Sequence, residues 1–206
     1  MLKEMKIRIA VLTVHGTLAL VLAIAFLYLS ATMTNVIFEA FAIVLALLLG
    51  ASALLLAALA DFFAACSEGM KHFHRFVLYL VAGITTAAVG AALGYSLQTT
   101  LLWLLAAAAL HAFVAGLAEI VSAARVKART SDTRMTGLFG LISVALSGAM
   151  AGMASVSLSN IEAIVMLAAY MGFLAAKLFT FAWNLETAVL AEEKPAAAVL
   201  SRPRAA

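Results

Sequence analysis

Apolar residues run in six stretches, each close to the length of a bilayer crossing, and the polar connections between them alternate in kind. Connections of the first kind, residues 30–34, 96–99 and 157–159, are three to five residues long and hold no basic residue. Connections of the second kind carry Lys71 and Arg75, then Arg125, Lys127, Arg129 and Arg134. The two ends of the chain are basic as well, with Lys3, Lys6 and Arg8 before the first stretch and Lys194, Arg202 and Arg204 after the sixth. A crossing takes roughly 20 apolar residues. The pattern therefore predicts helices over residues 7–29, 35–60, 73–95, 100–124, 135–156 and 160–187, with no room for a separate soluble domain. Because basic residues gather on one side of the series, the positive-inside rule places both termini in the cytoplasm.

Composition changes this picture only by hardening it. Hydrophobic residues make up 66% and charged residues 11% of the 206, and mean hydropathy is +1.13. That leaves too little polar surface to coat a water-soluble globule of this length. The expected class is an all-α, polytopic membrane protein. Its partner is the lipid bilayer, with a second copy or another membrane protein as a further candidate. The formal charge of +3 belongs to loop lysines and arginines that favour anionic headgroups, and no basic patch interleaved with aromatics suggests nucleic acid. The first stretch has the positive flank of a signal peptide but is longer than the usual apolar region of one, so it reads as a retained helix. Cys66, alone in the sequence, excludes an intramolecular disulfide and falls in an expected cytoplasmic loop. Aromatic residues are expected at the two interfaces, Tyr28, Tyr95 and Trp103 on the outer side and Phe62, Phe63, Phe73, Phe76 and Trp183 on the inner. The membrane domain is expected over residues 1–187, followed by a disordered cytoplasmic tail over 188–206.

Short outer connections suggest three tight antiparallel hairpins, about residues 7–60, 73–124 and 135–187. A shift of 67 residues places Gly16 on Gly83 and Tyr28 on Tyr95, and a shift of 66 places Gly50 on Gly116. Each unit holds an even number of spans, so the repeats are parallel in orientation, unlike the inverted repeats of many transporters. This arrangement resembles the HdeD-like family of short-repeat bacterial membrane proteins. The resemblance rests on the three two-helix repeats, their short outer loops, and small residues in Leu49-Gly50-Ala51-Ser52 and Ala115-Gly116-Leu117-Ala118-Glu119. It implies an inner-membrane protein with a role in stress, acid resistance in particular, and it brings no catalytic motif.

Two glycine pairs, Gly90 with Gly94 and Gly148 with Gly152, have the spacing that lets apolar helices approach closely. Both are expected to pack inside the monomer, with a dimer interface as the alternative. The nine methionines are scattered and read as gap fillers.

Ionisable groups inside the apolar runs carry what functional information remains, since one near the bilayer centre costs roughly 2.5–3.5 kcal/mol on insertion scales. His15 and His111 fall at similar depths, about 12 to 17 Å from the cytoplasmic interface at helical rise. They are read as neutral imidazoles satisfied by neighbouring helices, as a protonatable pair, or as axial ligands of a b-type haem. Glu119 and Lys177 lie near the cytoplasmic ends of two helices running in the same direction, and an ion pair between them is expected. Snorkelling of Lys177 is the alternative. Glu39 and Glu162 enter their helices within the first turns, where the helix dipole favours carboxylates. The sharper reading makes them acid sensors that become neutral as external pH falls. His72 and His74, with Lys71 and Arg75, read as a headgroup-facing cluster, not a metal site. No nucleophile-elbow, zinc-protease, Walker or dinucleotide pattern is present, so no catalytic, cofactor or metal residues are expected. The sequence supports a non-enzymatic stress-response or assembly factor that acts through helix surfaces. Its alternatives are a small transporter or channel with a path near His15, His111, Glu119 and Lys177, and, behind it, a haem carrier.

Overall fold

A computed structural model describes residues 2–33, 36–68, 73–95, 101–125, 131–156 and 159–200. Every element in them is an α-helix: α1 Leu2–Thr32, α2 Val36–Glu68, α3 Phe73–Tyr95, α4 Leu101–Arg125, α5 Ser131–Ala154 and α6 Asn160–Leu200. The protein is thus all-α and polytopic. Five helices contain stretches long and apolar enough to cross a membrane, Met5–Thr32, Phe38–Phe63, Leu101–Ala124, Thr133–Ala154 and Asn160–Ala191. In α3 the apolar stretch Gly83–Ala92 is shorter.

The ends differ from the sequence expectation where an apolar run continues past a charge. Helix α2 does not stop at Ala60 but carries Asp61 into its interior and ends at Glu68. Phe62, Phe63, Ala64 and Ala65 keep the segment apolar beyond the carboxylate, so the helix has no reason to break there. Cys66 consequently lies on a helix, exposed, and not in a loop. Helix α6 extends well past Thr187 to Leu200, and Val189 is buried. Lys71 and His72 lie outside the described residues, as do the side chains of His74 and Arg75.

The chain divides into two compact units. The first joins Met1–Val21 of the amino-terminal part to Gly172–Ala206. Within it, α1 and α6 meet at Gly16, where an added Cβ would come within 3.2 Å of the Phe179 ring and 3.4 Å of Leu178 Cβ. Ala19, Ala175, Leu178 and Ala182 are buried. Small residues on both helices set this approach, and large ones (Val11, Val14, Leu18, Val21) face outward.

The second unit spans Leu22–Met171. Its most extensive packing is between α4 and α5 and between α2 and α3, with less between α3 and α4. The short connections suggested hairpins 1–2, 3–4 and 5–6 as the tight pairs. A short turn only makes two helices neighbours, whereas the distance between axes is set by what stands at the interface, and the smallest residues stand between α4 and α5. A Cβ on Gly116 would lie 2.8 Å from the Gly140 carbonyl oxygen, and one on Gly140 the same distance from that of Gly116. Gly137, which precedes Gly140, faces Ala123, which follows Gly116, so the pair is antiparallel. Between α2 and α3, Gly90 sits against Leu54, Leu55 and Ala51, and Gly83 against Phe62 and Ala58, again antiparallel. Phe62 therefore packs on a neighbouring helix. Phe63, Tyr28, Trp103 and Trp183 point outward as interface anchors would. Helices α2 and α4 run in the same direction, and the Leu104 side chain fills the notch at Gly50.

The two expected glycine pairs fare differently. Gly90 packs inside the unit, and the side-chain surroundings of Gly94 lie outside what is described. Gly148 and Gly152 are exposed, with no described atom within 4 Å of an added Cβ, so they do not form the internal contact expected of them. On α5 the inward stripe is Gly140, Ser143, Ser147 and Met150, all buried at helical spacing, and the glycine pair lies off that stripe.

Hydroxyls inside the helices are satisfied locally. Thr13, Thr17, Ser52, Thr85 and Thr180 each donate to the carbonyl four residues earlier at 2.8–2.9 Å. Such bonds let hydroxyls sit in an apolar medium. The contrast between the glycines of α5 is directly measurable. Gly140→Ala should lower the thermal stability of detergent-solubilised protein by about 1–3 kcal/mol, because its new methyl meets backbone that must shift. Gly148→Ala should leave the melting temperature unchanged.

Candidate functional site

Three helices of the second unit bring ionisable side chains together away from their ends. His111 stands ten residues into α4, 9% exposed, roughly 15 Å from one end of that helix and 21 Å from the other at helical rise. Its Nδ1 lies 2.6 Å from the hydroxyl of Tyr170 on α6, a residue 3% exposed. Its Nε2 lies 3.8 Å from Oδ2 of Asp61 on α2, and that oxygen is fully shielded from solvent. The two rings meet edge-on, with centroids 6.3 Å apart and planes at 75°. The carboxylates of Asp61 and of Glu119, two turns further along α4, are both within electrostatic range of the Tyr170 hydroxyl.

The local reasons for this placement are visible in the helices. Ala107, Ala108 and Ala112 bury the α4 face around His111, leaving width for the imidazole between neighbouring helices. Tyr170 sits in a buried run with Leu167, Ala168, Met171 and Leu174, so its ring fills apolar space while the hydroxyl takes the one polar partner. Asp61 reaches the imidazole because α2 stays helical through it. One ring nitrogen is thus hydrogen-bonded and the other faces a carboxylate. Among the described residues no group of three or more His, Cys, Asp or Glu side chains could hold a metal ion.

The remaining candidates fall as follows. His15 and Lys177 belong to the first unit, where the lysine, 5% exposed, acts electrostatically on the imidazole. Lys177 is too buried to be read as a freely snorkelling chain. His111 and Glu119 belong to the second unit, with the neighbours just given. Glu39, near the start of α2, accepts a 3.0 Å hydrogen bond from Nδ2 of Asn160, tying the first turn of α2 to that of α6. Glu162 closes a reciprocal cap. It accepts from the amide and hydroxyl of Ser159 at 3.0 and 2.9 Å, and its own amide donates to the Ser159 hydroxyl at 3.3 Å. Both carboxylates therefore do structural work at helix starts beyond any dipole effect.

Sequence reasoning missed Asp61, Tyr170 and the cap. The cap had a plain signal, serine followed three residues later by glutamate at Ser159 and Glu162. Asp61 had a weaker one, an apolar run that resumes directly after the charge. Tyr170 had none, since a lone tyrosine inside a span looks like packing until its partner is known.

Fold and site together define a multi-pass helical membrane protein with a buried aspartate–histidine–tyrosine array. No protein-family model matches the chain, and no curated protein or solved structure matches it.

Ser159→Ala removes the hydroxyl that both donates to Glu162 and accepts its amide. Amide hydrogen exchange in the first turn of α6 should accelerate several-fold while the middle of α4 keeps its protection. Unchanged exchange at Glu162 and Ala163 would show that the cap does not hold this helix start.

Proposed function

We propose that this protein is a small proton-coupled membrane carrier in which Asp61, His111 and Tyr170 take up and release one proton inside the membrane. The observation that carries this reading is the contact of a buried carboxylate oxygen with a buried imidazole at 3.8 Å, the imidazole being held from behind by a phenol at 2.6 Å. Ionisable side chains are costly in an apolar span and are kept where they pair with one another on an ion or proton route. A packing role alone would be met by apolar residues of the same volume, often with no loss of stability. The array also draws its members from three different helices, so a change of protonation changes the attraction between helices. That is what coupling to movement of a solute requires.

The setting that goes with this reading is a bacterial-type inner membrane, with the basic connections and both termini in the cytoplasm. Glu119, whose charge reaches Tyr170, lies on the side of the array towards the basic end of α4. It extends the polar route in that direction. The stress-response role implied by the HdeD-like resemblance rests on the repeat pattern of the sequence, and the geometry of the described residues does not favour it over a proton site.

In proteoliposomes under an imposed membrane potential, dye-reported proton movement should exceed that of protein-free vesicles and fall to their level in Asp61→Asn. Equal rates in the wild type and Asp61→Asn would overturn the carrier. His111→Gln should also abolish movement, whereas Glu39→Gln, at the helix start, should retain it.

A further inference from the structure

We infer that Tyr170 is a positioning residue that fixes His111 as the Nε2–H tautomer and so makes the Asp61 carboxylate, not the imidazole, the group that receives the incoming proton. The starting point is the phenol. Tyr170 is buried, its hydroxyl has one proton to give, and its hydrogen bond is to Nδ1 of His111 at 2.6 Å. Two arrangements fit that distance. If Nδ1 carried the hydrogen, the phenol would accept it and its own O–H would need a second acceptor, whereas the hydrogen bond of this buried hydroxyl is the one to Nδ1 of His111. If the phenol donates, its proton and the Nδ1 lone pair satisfy each other. The second arrangement wins, and it leaves the imidazole hydrogen on Nε2.

Nε2 faces Oδ2 of Asp61 at 3.8 Å. An N–H pointing at an ionised carboxylate is attractive, and the approach needed to make a full hydrogen bond is less than 1 Å, within the reach of a rotamer adjustment. In this state neither ring nitrogen offers an open lone pair, one being protonated and the other engaged by Tyr170. An arriving proton therefore lands on a carboxylate oxygen of Asp61. The O–H bond forms there, the Asp61 charge is neutralised, and the Nε2–H bond is retained throughout. His111 acts through Asp61, by stabilising its charged form before uptake, and Tyr170 acts through His111. Glu119 on α4 is the other carboxylate whose field reaches Tyr170.

This assignment rests on the proton-site reading for its consequence but not for its geometry, so the two can fail separately. The test is nitrogen NMR of the imidazole in a chain in which His15, His72 and His74 are replaced by glutamine, leaving His111 as the one labelled histidine. At alkaline pH the wild-type site should show a protonated Nε2 and an unprotonated, hydrogen-bonded Nδ1. In Tyr170→Phe the preference should relax to comparable amounts of both tautomers, and in Asp61→Asn the Nδ1 signal should keep its hydrogen-bonded position. A protonated Nδ1 in the Tyr170-containing protein overturns the inference, whatever proton movement is measured, and needs no variant at position 170 to fold. Infrared difference spectra between acid and alkaline samples give the second readout. A carboxylic-acid carbonyl band that disappears in Asp61→Asn is expected, and a band unaffected by that change overturns Asp61 as the receiving group.

Discussion

An ionisable side chain within an apolar span has to find its partners in the protein, because the surrounding medium supplies none. That constraint organises the second unit. His111 cannot turn to water from the middle of α4, so α2 and α6 must each bring a polar group to it, and they must do so at fixed depth along their axes. Asp61 sits two turns before the end of α2 and Tyr170 ten residues into α6. The relative sliding of the three helices is thereby fixed by polar contacts. Leu104 in the Gly50 notch fixes it a second time by shape. At the start of α2, the bond from Asn160 to Glu39 pins α6 again.

Between α4 and α5 and between α2 and α3, small residues set the approach. Without water to expel, helix association in lipid gains mainly from close van der Waals contact, and only residues without bulk allow that contact. Gly116 and Gly140 bring the α4 and α5 backbones nearest. The buried hydroxyls Ser143 and Ser147 continue the same face of α5. The outward faces, rich in Leu, Val and Ile, have the composition of a surface that meets acyl chains.

The fold was largely legible because membrane length and backbone satisfaction leave few choices. Six apolar runs become six helices, five of them long and apolar enough to cross a membrane, and the ends of α3 fall where the pattern put them. What was not legible depended on weighing competing local signals. The expected end of α2 at residue 60 falls just before Asp61, yet a helix can carry a charge through if another helix answers it. On α5 two stripes of small residues compete, one of glycines at Gly148 and Gly152 and one mixed at Gly140, Ser143 and Ser147. Glycine spacing alone selected the outward one. Of the array, only His111 could be named from the sequence, because a histidine in a span is conspicuous while its partners are identified by proximity across chain separations of 50 and 59 residues.

An array drawn from α2, α4 and α6 has a property that a site on one helix lacks. When the carboxylate on α2 is charged it attracts the imidazole N–H on α4; when it is protonated, that attraction falls to an ordinary hydrogen bond between neutral groups, about half as strong. The hydrogen bond from α6 to the far side of the imidazole is unaffected. In the proposed carrier, proton uptake would therefore weaken this one polar link between α2 and α4 while the link between α4 and α6 is kept. Helix α2 packs extensively on α3, with Gly83 and Gly90 against residues between Ala51 and Phe62, so in the proposed carrier a loosened α2 has α3 as a partner to move with. The tight Gly116–Gly140 contact keeps α4 and α5 together as the opposing body. In the proposed carrier, protonation of a single oxygen would in this way become a difference between two packed helix pairs, which is what coupling requires where no helix among the described residues is broken.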